Sequence, residues 1–220
     1  MRKILHNAFK VVHMFEEEVA NYTGAKYAVA VDSCTNAIFL SCYYSKNVLG
    51  IKETVLIPIR TYLSVPQAVQ QAGIDIMFEN RDWSGVYQIL PYPVWDSAKR
   101  FTSNMYIPNS FMCLSFHMKK PLPIGKGGMI LTDDETAYKW FYRAKLEGRE
   151  EKSYHEDDLI MSGWNFYMTP EEAARGLMLM QNYPEHSPDQ GEVPPYRKLS
   201  EFAIFRNIPI CQTPNYFRHA

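Results

Sequence analysis

The stretch YAVAVDSCTNAIFL, residues 27–40, decides the fold. Its first five residues, Tyr27 to Val31, form a short, wholly apolar run of the kind expected for a strand covered on both faces. Asp32-Ser33-Cys34-Thr35-Asn36 then turns the chain, and Ala37-Ile38-Phe39-Leu40 resumes as a helix. A buried strand that hands over directly to a helix is the first half of a parallel βαβ unit. The handover has a chemical consequence. The first amides of a helix have no intrahelical acceptor and lie at the positive end of its dipole, so the junction suits an anion such as phosphate. Ser and Thr are also the commonest helix caps, and on these residues alone capping is the simpler role for Ser33 and Thr35.

The same alternation continues on both sides. Upstream, Val11, Val12, Phe15, Val19 and Tyr22 share one face of a helix over Lys10–Tyr22 (8–23 at its widest), which Gly24 stops. Downstream, strands are expected at Thr54–Pro58, Ile74–Phe78, Tyr87–Leu90 and Pro93–Trp95, the last ending on Asp96. A helix opening near Ser64-Val65-Pro66 runs to Gly73. The run CLSFHMKKPLPIGKGG, residues 113–128, reads as a strand, a loop carrying Lys119 and Lys120, and a Gly-rich return into a strand at Met129–Leu131. A lysine held between buried strands is screened from water and keeps more of its amine neutral for attack on a carbonyl. Taken alone, the two lysines read more simply as solvated loop residues. Asp133 or Asp134 caps a helix ending near Gly148, and Thr169-Pro170-Glu171-Glu172 opens another to Met180.

Strands alternating with helices predict an α/β protein: a three-layer α/β/α sandwich around a mostly parallel mixed sheet, with ligands beyond the C-terminal strand ends. Ser33, Thr35, Tyr62, Asp96 and Lys120 share that rim. Residues 1–181 form one large domain. Residues 182–220 form a Pro-rich tail, a docking arm with a helix at Arg197–Phe205, too short for a second domain.

Composition narrows the function. A chain of 220 residues that is 46% hydrophobic buries a full core. A formal net charge of -1 leaves no electrostatic footprint for nucleic acid or an anionic membrane. The basic start is not a signal peptide, and no stretch is long enough to span a bilayer. Cys34, Cys42, Cys113 and Cys211 form no CxxC pair and fit reduced thiols in the cytoplasm. His155-Glu156-Asp157-Asp158 cannot converge on one ion from regular structure, so it reads as a solvated loop and no metal is expected.

FEEEVANYTGAKYAVAVDSCTNAI (15–38), VLIPIRTYLSVPQAV (55–69), VWDSA (94–98), LSFHMKK (114–120) with GKGGMILTDDE (125–135), and GWNFYMTPEEAARG (163–176) occur in one order. In that order they resemble the DegT/StrS family of sugar aminotransferases, which carry the large domain of the type I fold of pyridoxal 5'-phosphate enzymes. The resemblance implies a transfer of an amino group from an amino acid donor, L-glutamate, to a keto-sugar attached to a nucleotide. It selects Lys120 as the lysine that binds the cofactor covalently and Asp96 as the partner of the ring nitrogen. It further implies that Tyr62 stacks on the ring and that Ser33, Cys34, Thr35, Asn36 and Ser115 hold the phosphate. Asn165 would reach the phosphate of a second subunit, making the protein a homodimer with a shared active site.

The departures from that family are as informative. Cys34 replaces a glycine, Arg60 an apolar or aromatic residue, Lys99 a Gln or His, Lys126 an acid and Tyr167 an arginine. The family's second, smaller domain is not matched. Beside the aminotransferase reading stand a reduced cofactor-binding protein without transamination, acting as a regulatory module or half of a split enzyme, and a sugar dehydratase on the same scaffold.

Overall fold

The computed structural model describes residue 7, residues 9–191 and residues 195–211; most of the basic start, with Pro194 and Pro214, lies outside them. Helix α1, Lys10–Thr23, buries Val12, Phe15, Val19 and Ala20 and stops at Gly24, whose φ of 77° costs glycine no Cβ strain. β1 is Tyr27–Val31 and α2 is Cys34–Asn47. α2 begins three residues before Ala37 because Ser33 caps it, accepting the Asn36 N–H. β2 (Val55–Pro58), α3 (Ser64–Gln71) and β3 (Ile76–Glu79) complete a parallel βαβ unit. Then come β4 (Tyr87–Gln88), β5 (Val94–Asp96), β6 (Phe111–Ser115) and β7 (Gly128–Thr132). α4 is Glu135–Ala144, capped by Asp134, and α5 is Pro170–Met180, opened by a Thr169–Glu172 capping box.

The strands form two ladders, β1-β7-β6-β5-β4 and β2-β3-β8, where β8 is Ile210–Cys211. An antiparallel bridge joins them: the Leu56 N–H donates to the Leu90 carbonyl at 2.7 Å. Traced through the pairings, β1, β2, β3, β5, β6 and β8 point one way and only β4 and β7 the other. The mixed, mostly parallel sheet is as expected.

Strict alternation along the central strands builds the three layers. Ala28, Ala30, Met112, Leu114, Met129 and Leu131 pack with Val12 and Phe15 of α1 and Ala173 of α5. Val29, Val31, Cys113 and Ile130 pack with Ile38 and Leu40 of α2, Val69 of α3 and Phe141 of α4. Both faces are covered, which is why these strands read as continuous apolar runs.

Two expectations need correction. Arg197–Phe205 is not a helix but two 3₁₀ turns, Leu199–Glu201 and Ala203–Phe205, separated by Phe202 in extended conformation. Tertiary anchoring overrides propensity there: the Leu199 N–H donates to the Ile59 carbonyl at 2.8 Å, and Phe205 is buried edge-on to Phe78. The charged segment 147–158 is an irregular loop but is not simply solvated. Asp157 accepts the Glu150 N–H and pairs with Arg149, and Arg143 pairs with Glu150.

Candidate active site

Strands β1, β2, β5 and β6 end on one rim, and each is followed by polar residues. Hydrogen bonds tie these strand ends together. Thr35 Oγ1 and Ser64 Oγ are 2.8 Å apart, and Cys34 Sγ donates to the Cys113 carbonyl at 3.4 Å. Thr61 Oγ1 lies 2.7 Å from the Tyr87 hydroxyl, which donates to Asp96 Oδ2 at 2.8 Å.

Asp96 is 5% exposed and also accepts the Ala98 N–H at 2.9 Å. Burial pushes its carboxyl above the usual range; the Ala98 amide, the Tyr87 hydroxyl and the charges of Lys120 and Lys99 oppose the rise. The Cys34 thiol is pushed well up by burial and further by Asp96, while Lys120 again opposes. Lys120 therefore acts on both groups across the rim. Lys119 is exposed, and its backbone N–H donates to His117 Nδ1 at 3.3 Å. Lys120 lies in a loop, as the simpler reading of the lysine pair has it, and is not held between buried strands. β6 ends at Ser115 and the loop beyond the sheet carries the lysine, leaving it half-buried.

At the α2 N-terminus the capping reading of Ser33 is realised, since Ser33 Oγ accepts the Asn36 N–H at 3.2 Å. Asp32 Oδ1 accepts from Ser33 Oγ at 3.1 Å and from Asn36 Nδ2 at 2.7 Å, and Lys126 lies 3.7 Å from Oδ2. The Cys34 and Thr35 amides have no protein acceptor among the described residues. Gly128 makes the close approach here: a Cβ on it would lie 2.4 Å from the Cys34 nitrogen. Gly128 pairs with Val31 on one side and Ser115 on the other. Two strand spacings, roughly 10 Å, thus separate β1 from Ser115.

Tyr62 is 55% exposed, with its ring centroid 6.3 Å from that of Tyr196 in the tail. The tail crosses the rim. Asp189 accepts two hydrogen bonds from Arg100 at 2.7 Å each, and Gln190 donates to the carbonyls of Lys99 and Lys119. The rim of this single chain does not receive the Asn165 side chain, which is exposed and donates to Glu147.

Sequence reasoning assigned no site role to Tyr87, Thr61, Asp32 or Tyr196. Tyr87 lies nine residues before Asp96, and only the β4–β5 hairpin faces its hydroxyl to that carboxylate. Asp32 had a visible signal, a carboxylate just before a helix cap, where it complements the dipole.

A three-layer sandwich whose parallel strand ends and helix N-termini meet on one rim is the architecture of the large domain of the type I pyridoxal-phosphate-dependent transferase fold. The chain belongs to the DegT/DnrJ/EryC1/StrS aminotransferase family, whose sequence pattern matches residues 3–86 and 108–194. Asp96 falls between the two matched blocks, so its place in the site rests on the geometry.

The chain is 24% identical over 214 residues to the GDP-perosamine synthase of Escherichia coli O157:H7, covering 77% of this chain and 57% of the relative. It is 19% identical over 258 residues to the UDP-4-amino-4,6-dideoxy-N-acetyl-beta-L-altrosamine transaminase of Campylobacter jejuni, covering 96% and 67%. Among solved structures, the Helicobacter pylori aminotransferase involved in the biosynthesis of pseudoaminic acid superposes with a TM-score of 0.66 at 17% identity. That match covers 80% of this chain and 58% of the other. A sugar aminotransferase from Micromonospora echinospora gives 0.66 at 16% identity, covering 79% and 61%. The chain thus spans about three fifths of the length of these proteins. Among the described residues, no helix is long and apolar enough to cross a membrane.

Proposed function

We propose that the chain is a pyridoxal-phosphate-dependent aminotransferase that moves an amino group from an amino acid, glutamate by family resemblance, to a nucleotide-linked keto-sugar. In this reading it works in the cytoplasm as a homodimer. The observation that carries it is the convergence of Lys120, buried Asp96 and the unpaired Cys34 and Thr35 amides on one rim.

The residues fit the cofactor. The amides of Cys34 and Thr35, with Ser33, Asn36 and Ser115, would take the phosphate, and Lys126 offsets the neighbouring charge of Asp32. Bound there, pyridoxal phosphate supplies an electron sink for a substrate carbon that loses its proton. Asp96 would hold a proton on the ring nitrogen, oriented by Tyr87 and Ala98. Tyr62, exposed and with its ring beside that of Tyr196, would cover a ring face. Lys120 Nζ would anchor the carbonyl and, once displaced by the amino donor, take and return the proton. Asn165 of the partner subunit would complete the phosphate site.

Absorbance tests this. Purified protein should show a visible band that borohydride bleaches; Lys120→Ala should remove the band and Lys119→Ala should keep it. A protein that takes up no cofactor would refute the proposal. L-glutamate should then convert the bound cofactor to its amine form. The tail standing over the rim favours a second reading, cofactor binding without transamination, which predicts an unchanged spectrum with glutamate.

A further inference from the structure

A buried chain of hydroxyls ends on Asp96. Thr61 in the loop after β2, Tyr87 on β4 and Asp96 at the end of β5 are 2%, 3% and 5% exposed. The β4–β5 ladder sets Tyr87 directly opposite Asp96, and the Tyr87 hydroxyl donates to Oδ2 at 2.8 Å. Thr61 Oγ1 lies 2.7 Å from that hydroxyl.

Counting protons fixes the direction of the chain. An ionised carboxylate only accepts, and a phenol has one proton to give. With that proton on Asp96, the Thr61 hydroxyl donates to the Tyr87 oxygen, so both bonds run toward the acid. A hydroxyl that accepts one hydrogen bond donates the next one more strongly. Burial, and then the charge of Asp96, push the Tyr87 phenol well up, so it keeps its proton and stays a donor.

The donors are held in place. The Trp83 indole N–H donates to the Arg60 carbonyl at 2.9 Å, and the Trp83 ring lies 4.7 Å from that of Tyr87, so the loop carrying Thr61 is tied to the approach to β4 twice. On Asp96, Tyr87 takes Oδ2 and the Ala98 N–H takes Oδ1, which leaves each oxygen a further lone pair. The titratable groups that act on this carboxyl besides Tyr87 are Cys34 on α2, Cys113 on β6, Lys99 beyond β5 and Lys120 beyond β6. Burial disfavours the charged carboxylate, and the Tyr87 bond favours it. Tyr87 lies between the two blocks that the family pattern matches, so the device belongs to this chain and is not part of that pattern.

Resting on the aminotransferase reading, we propose that Tyr87, aligned by Thr61, is a positioning residue that holds Asp96 in its charged form and thereby keeps the proton of the cofactor's ring nitrogen on the ring. A carboxylate deprived of this donor binds a proton more tightly and draws it away from the nitrogen.

Two measurements on the full chain test this. Without cofactor, Tyr87→Phe should raise the folded pKa of Asp96 by roughly one unit, the worth of one hydrogen bond to a charged group. Its loss of stability relative to the parent should therefore grow as pH rises through the folded pKa, and this growth should vanish in the Asp96→Asn background. With cofactor labelled with nitrogen-15 in the ring, Tyr87→Phe should move the nitrogen resonance from its protonated toward its unprotonated position and weaken cofactor retention about tenfold. Thr61→Val should move both readouts the same way by less, and it carries the test if Tyr87→Phe does not fold. A loss of stability equal at every pH, or growing equally in the Asp96→Asn background, overturns the proposal. A parent that takes up no cofactor sinks the aminotransferase reading, whereas a loaded parent with a protonated ring that both variants leave unmoved sinks this inference alone.

Discussion

Glu16 of α1 and Lys145, the residue after α4, meet at the edge of the sheet with Nζ 2.7 Å from Oε1, both side chains buried. The same oxygen accepts the Ala30 N–H at 2.7 Å, and the ammonium sits 4.3 Å from the centre of the Tyr142 ring. A side chain from one face and a cation from the other thus occupy the edge of β1, where a further strand would otherwise pair. Removing one partner strands the other charge away from water. Lys145→Met should cost about 3–5 kcal/mol in urea unfolding. Glu16→Gln combined with Lys145→Met should recover most of that, because glutamine still accepts from Ala30. Equal losses in the single and double variants would count against a charge-specific origin.

Asp96 predicts a conflict between stability and function. Burial raises its folded pKa above the ordinary 3.8, so between those values the folded protein keeps a proton that the unfolded chain has released. The carboxylate therefore subtracts from stability as pH rises through that window, and the cost is complete once pH has passed the folded pKa. Asp96→Asn should remove this pH dependence. Without cofactor, its stability relative to the parent should increase from pH 3.5 to 7, while cofactor retention is lost. Parallel stability profiles for the two proteins would contradict the sign.

Gly128→Ala should damage the phosphate turn selectively. A methyl group 2.4 Å from the Cys34 nitrogen and from the Ser33 carbonyl carbon forces backbone to move, since no flexible side chain can yield. The expected result is a folded protein by circular dichroism whose cofactor affinity falls at least tenfold. Affinity equal to the parent would mean that the α2 amides do not hold the phosphate.

Asp189→Asn should loosen the tail. The bidentate contact with Arg100 is charge-assisted at both oxygens, and it holds the Arg100 guanidinium strongly in its charged form. Hydrogen exchange should speed up in residues 185–199 while β5 and β6 stay protected. Unchanged exchange in that segment would show that the aromatic contacts of Tyr196 suffice.

Much of the architecture was legible in the chain. Tyr27–Val31 is apolar at every position because helices cover both of its faces, and Gly24, Thr169 and Asp134 mark helix ends with unambiguous chemistry. The tail was the failure. Nothing local in Arg197–Phe205 encodes that Leu199 bonds to Ile59, and a helical pattern lost to a long-range contact. At the site, Asp96 could be read as a carboxylate at a strand end, whereas the choice of Lys120 over Lys119 came from the family resemblance. The Tyr87–Thr61 pairing was not legible, because it joins the loop after β2 to a strand of the other ladder. Asn165 differs again, since its expected role depends on a second copy of the chain.

β8 gives the protein a timetable. Ile210 and Cys211 pair with Phe78 and Glu79, so the outer edge of β3 waits for residues made more than a hundred positions later. Contacts of such separation form late, and until then an open parallel edge is a template for a foreign strand. During synthesis, β1, β7, β6 and β5 can condense while β2 and β3 remain half-dressed. The emerging chain should therefore depend most on chaperones between the completion of α5 and the arrival of β8, and substitutions at Ile210 should act on yield in the cell before they act on the finished protein.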